Sequence, residues 1–103
     1  MSEDVQAAIT RLWARSRPVV LERIDALQET AGELAAGRLE HQQVEEARAD
    51  AHKLVGSLGT FGIPRGSDLA RGVEHELEGG GGDPARLSDL LAELRAVVEA
   101  TAE

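Results

Sequence analysis

The chain has 103 residues, 42% of them apolar types and 29% charged, proportions of one soluble globular domain spanning residues 1–103 that buries a core without metal or disulfide staples. With no cysteine, disulfide scaffolds, thiolate zinc sites and Cys nucleophiles are excluded. A net charge of −8, a single lysine among 11 basic residues and only two aromatics leave no cationic cluster or stacking platform for nucleic acid, and no basic face for an anionic membrane.

Strand signals are scarce, because β-branched residues are scattered and no run alternates with period two. Helical spacing takes their place. Val5, Ile9, Leu12 and Trp13 trace a short amphipathic stripe over about residues 3–16. Pro18 then interrupts or opens a helix, since it lacks an N–H but suits a first turn. Val20, Ile24, Leu27, Ala31 and Leu34 follow at steps of four and three up to Gly37, and the spacing leaves open whether residues 3–37 form one kinked helix or two. Val44, Ala47, Ala51, Leu54, Leu58 and Phe61 form the clearest seam, closed by Gly62, Ile63 and Pro64. A further helix over about 65–78 buries Leu69, Val73 and Leu77, and Gly79–Gly82 is a break. Asp83 caps, with Pro84 at the first helical position, a last helix carrying Leu87, Leu90, Leu91, Leu94 and Val98. Long helices with one apolar stripe each and short joints predict an all-α, antiparallel up-down four-helix bundle with an additional N-terminal helix.

No apolar run approaches the roughly 18 residues that span a bilayer. The opening MSEDVQAAIT also lacks the basic-then-apolar layout of a signal peptide. The expectation is a cytoplasmic protein whose partner is another protein.

Three histidines are the candidates for a nucleophile or base at neutral pH. At 100° per residue, His52 points about 130–150° away from the core seam of its own helix. Its outward face carries Glu45, Arg48, Gly56 and Gly59. Gly56, Gly59 and Gly62 sit in a segment that otherwise reads as helix, and at about 1 kcal/mol each relative to alanine the three would cost roughly 3 kcal/mol. Their effect is a bare strip beside the imidazole, where another protein can approach closely. On residues alone, an ordinary surface histidine and a helix-packing role for the glycines weigh equally against a functional site.

The stretch Ala51-His52-Lys53-Leu54-Val55-Gly56-Ser57, with Gly62 ten residues after the histidine, resembles the core motif of histidine-containing phosphotransfer (HPt) domains, approximately A-H-x-L-K-G-S. Leu69 through Glu74 is similar to that family's L-x-x-x-x-E, and Leu12-Trp13 and Pro18 also look like its versions. The resemblance covers most of the chain. It implies a four-helix bundle whose His52 accepts a phosphoryl group from a histidine kinase or receiver-domain aspartate and passes it to the receiver domain of a response regulator. The chain would then be a phosphoryl carrier without turnover of its own. It would need no cofactor or metal, and the magnesium would belong to the receiver. Gly56, Gly59 and Val55 would form the docking strip, and Glu74 would orient the imidazole, against the equal weight of a plain solvated acid. The family lysine three residues after the histidine is replaced by Val55, so Arg48, one turn away, or Lys53 is expected to steady the phosphoryl oxygens. That same departure motivates the alternative of a non-catalytic helical adapter that docks a receiver or kinase without accepting phosphate. Polar outer faces lead to the expectation of a monomer.

Other constellations are set aside. His41, His52 and His75 have no chelating spacing on one helix. His75 lies among Glu74, Glu76 and Glu78 on a solvated face with i,i+4 partners such as Arg71. Gly79–Gly82 lacks the Gly-Lys-Ser/Thr of a phosphate loop.

Overall fold

The computed structural model describes residues 2–80 and 82–101. Four helices follow one another: α1 (Ser2–Ala35), α2 (His41–Thr60), α3 (Pro64–Glu78) and α4 (Pro84–Ala100). The expected additional N-terminal helix is not a separate element, because α1 runs unbroken through Pro18. Pro18 and Ala14 are both exposed, so the carbonyl that loses its i+4 donor faces water. Trp13, Val20, Ile24, Leu27 and Ala31 meanwhile form one buried line across the proline.

Sequence chemistry sets the helix boundaries. At the end of α1, Gly37 lies at φ +70° and donates to Leu34 O, while Arg38 N–H reaches Glu33 O. The end of α2 repeats this: Gly62 lies at φ +73° and donates to Gly59 O, and Ile63 N–H reaches Leu58 O. Both are Schellman closures, which need the left-handed residue that glycine supplies without strain. Gly62 therefore lies outside the helix, and only Gly56 and Gly59 of the glycine trio carry a helix-interior cost, about 2 kcal/mol together. Phe61 leaves the core seam as the C-cap and stacks at a tilt on Trp13, ring centroids 5.2 Å apart. Gln43 accepts from the Glu40 N–H to start α2. Pro64 opens α3, one residue earlier than the spacing predicts. Asp83 Oδ1 accepts from Arg86 N–H to cap α4, with Pro84 at its first turn. Of the predicted glycine break, Gly81 lies outside the described residues.

Cross-helix contacts fix the direction of each pair. Arg17 donates to the Val98 and Glu99 carbonyls, while Arg95 meets Asp25 and Gln28 further along α1. Arg65 meets Glu93, and Arg86 meets Glu76. Ser67 bonds to Val55, and Glu74 meets His52. In every pair the numbers rise on one helix as they fall on the other, so the bundle is antiparallel and up-down, with each helix beside its chain neighbour and α4 returning to α1. Ile24, Ala51, Leu54, Leu58, Ala70, Val73, Leu91, Leu94 and Val98 are sealed from solvent at its centre.

The N-terminal stripe behaves differently from its expected burial. Only Trp13 is buried; Ile9 is half-buried, and Val5 and Leu12 are exposed. At 1.5 Å per residue α1 is about 51 Å long against about 26 Å for α4. Ile9, Thr10 and Trp13 share a pocket with Phe61, Ile63 and Thr101, where α2 and α4 give out. Val5 lies beyond that level, and Leu12 faces outward in line with the exposed Val19.

Candidate functional site

The site forms where the outward face of α2 meets the edge of α3. Ala51, Leu54 and Leu58 turn inward, which leaves His52 on the opposite side, with 71% of its side chain exposed. Across the groove, Leu69, Ala70, Val73 and Leu77 anchor α3, so Glu74, the residue after Val73, emerges at the helix boundary with its side chain only 14% exposed. The result is a contact of 2.9 Å between Glu74 Oε2 and His52 Nδ1. A carboxylate accepts only, so Nδ1 carries the proton in this pair, and in the neutral ring Nε2 keeps its lone pair, facing away from Glu74.

Arg48, one turn before His52, does not lie free beside the imidazole. Its guanidinium stands 3.5 Å from Glu74 Oε2 and 3.3 Å from Glu45 Oε1. Lys53 is exposed and joins no ion pair among the described residues. Val55 is half-buried against the core cluster, so the position of the expected lysine is apolar and turned partly inward. Gly56 is open: a Cβ built there meets nothing within 4 Å. Gly59 has a second circumstance, since its Cβ would touch Ser67 Oγ at 3.7 Å, and Ser67 itself is buried and donates to the Val55 carbonyl at 2.8 Å. The bare strip thus opens to solvent at Gly56 and borders α3 at Gly59.

The structure also presents features that the sequence reading does not reach. A groove of about 340 Å³ lies between α1 and α2, lined by Arg15, Val19, Arg23, Ser57 and Phe61. Nothing local to α1 signals which of its residues flank α2; that follows only from the pairing of the helices. The Arg48–Glu74 contact is likewise a product of tertiary register. His41 opens α2 and is exposed, and His75 pairs at 3.8 Å with Glu78, while Arg71 pairs with Asp68 and not with His75. Among the described residues no three His, Asp or Glu side chains converge as a metal site, and no helix is long and apolar enough to cross a membrane.

Residues 5–103 match the Hpt domain family. Protein RcaC of Microchaete diplosiphon is 34% identical over 73 residues, which is 71% of this chain and 11% of that protein. The chain therefore spans about a tenth of the length of this curated relative. No solved structure matches the chain significantly.

Proposed function

The chain belongs to the Hpt domain family, and from that premise we propose that it is a cytoplasmic phosphorelay carrier in which His52 takes a phosphoryl group from a histidine kinase or a receiver aspartate and delivers it to the receiver domain of a response regulator. The observation that carries this reading is the contact between Glu74 Oε2 and His52 Nδ1. It leaves Nε2 as the nucleophile on an exposed ring.

In the accepting step, the Nε2 lone pair forms a bond to phosphorus while the P–O bond to the donor aspartate breaks, and its electron pair leaves on the aspartate carboxylate. The Nδ1 proton stays on the ring. The imidazole so becomes cationic, and the Glu74 carboxylate lies against it to balance that charge. Delivery is the reverse, with a second aspartate as nucleophile. Magnesium chemistry is assigned to the receiver, which must approach until donor, phosphorus and acceptor are in line. Open space at Gly56 supports such an approach.

The apolar Val55 in place of the family lysine favours a second reading, a docking adapter that accepts no phosphate. The deciding experiment is labelling of the wild type and His52→Gln by a radiolabelled phospho-receiver or histidine kinase. Acid-labile, base-stable label on the wild type alone is expected. Label that persists in His52→Gln would place the acceptor elsewhere, and binding to the donors without any label would select the adapter. Because His52 lies outside the core, His52→Gln should keep the helical circular dichroism and thermal midpoint of the wild type.

A further inference from the structure

Arg48 reaches the imidazole only through Glu74. The oxygen that accepts from His52 Nδ1 at 2.9 Å is the one that Arg48 approaches at 3.5 Å, and the guanidinium is held from behind by Glu45 at 3.3 Å. Nδ1 and Nε2 lie on different edges of the ring, so this arrangement gathers Glu45, Arg48 and Glu74 on the edge that does not take phosphorus. We propose that Arg48 is a positioning residue: it pins the Glu74 carboxylate against Nδ1 and so holds His52 in the tautomer with Nε2 free, in place of binding the phosphoryl oxygens. The inference rests on His52 as the acceptor and replaces the role that sequence position alone assigned to Arg48.

The physical need is clear from the side chains involved. Glu74 projects from α3 toward a histidine on α2 that is mostly in water, and a glutamate has among the largest side-chain rotamer entropies to lose on being fixed. One hydrogen bond to an exposed ring does not outweigh this by much. A second, cationic anchor does, and a planar guanidinium that spans two carboxylates holds its own geometry better than a lysine stem. Arg48 is two-thirds shielded and Glu74 more so, so solvent screens their attraction less than at a fully exposed pair. Glu45, on the same helix one turn back, completes a chain Glu45–Arg48–Glu74–His52 that crosses from α2 to α3 and returns.

Ring ¹⁵N NMR of His52 at about pH 8, where an ordinary imidazole is neutral, reads the tautomer directly and does not depend on any phosphoryl donor. The wild type is expected to show the Nδ1–H form. Arg48→Gln should give a mixture of tautomers, and Arg48→Lys should return toward the wild type. Labelling of His52 by the small donor phosphoramidate, which needs no docked protein, should slow about tenfold in Arg48→Gln, the equivalent of one charge-assisted hydrogen bond. An unchanged tautomer in Arg48→Gln overturns the proposal, and with slowed labelling it returns Arg48 to the phosphoryl oxygens. Failure of the wild type to be labelled by any donor would instead count against the carrier reading, while the tautomer comparison would still decide the role of Arg48.

Discussion

Glu74 offers His52 two things, an acceptor for the Nδ1 proton and a negative charge, and substitution separates them. Glu74→Gln retains a carbonyl oxygen at the same reach, so the tautomer should persist while the charge opposite the phosphorylated ring is lost. A charge-assisted hydrogen bond exceeds a neutral one by about 1 kcal/mol, which predicts roughly a fivefold to tenfold fall in labelling rate. Glu74→Ala removes both contributions and should slow labelling further, with a mixed tautomer by ¹⁵N NMR. Equal rates for the two variants would show that the acceptor for the Nδ1 proton is immaterial and that the lost charge carries the whole effect. The exposed place of His52 was legible in the sequence, because helix periodicity puts it opposite the core seam with Gly56 beside it, whereas its choice as acceptor came from the family motif. The standing of Glu74 was not legible from spacing. Its separation of 22 residues from His52 has meaning only once α3 folds back on α2 with Val73 as its inward residue. Arg48 shows the limit of one-helix geometry: its angular place on α2 is as expected, but its nearest oxygens belong to Glu45 and to a carboxylate from another helix.

Along the helices, glycines that look alike in sequence serve different ends. Gly56 borders open space, so Gly56→Leu should raise helix stability by up to about 1 kcal/mol while it obstructs a docking receiver. Transfer from a phospho-receiver should fail in this variant, and labelling by phosphoramidate should continue; loss of both would mean that the leucine had disturbed His52 itself. Gly66 is the opposite case. A Cβ there would stand 3.1 Å from Ile63 Cγ2 and 3.3 Å from Leu58 Cδ1, both on buried side chains that must give by a few tenths of an ångström, so overpacking offsets the helix gain of Gly66→Ala. The thermal midpoint should therefore rise more in Gly56→Leu than in Gly66→Ala. Helix number was misjudged at α1 for a related reason. Pro18 weakens a helix locally, but the buried line from Trp13 to Ala31 continues across it, and Ala14, whose carbonyl it leaves without a helical donor, lies on the solvent side. The apolar pattern of the first turns is genuine, yet the helices that could cover Val5 stop short of it. Leu12→Ser, on the uncovered side, should change stability by no more than about 0.5 kcal/mol, as measured by urea titration.

At the scale of the molecule, the bundle separates what holds the fold from the face proposed to meet a partner. The sealed core lies between the helices, whereas His52, Gly56 and the Arg48–Glu74 pair lie on the outer edge of α2 and α3. Leu94, on α4, and Leu54, two residues from His52 on α2, are both fully buried. Either leucine cut to alanine should cost about 2–5 kcal/mol, a large share of the 5–15 kcal/mol typical of a domain. Their effects on the site should differ nonetheless. A cavity at Leu94 sits behind α4, which contributes no residue to the site, so labelling by phosphoramidate per folded molecule should match the wild type. A cavity at Leu54 lets α2 shift against α3, and a hydrogen bond of 2.9 Å between side chains on the two helices tolerates little displacement. Leu54→Ala should thus slow labelling and mix the His52 tautomers even under conditions where the protein remains folded by circular dichroism. Comparable slowing in Leu94→Ala would mean that the four helices move as one body, and that the register of α2 on α3 is set by the whole core and not by the seam these two helices share.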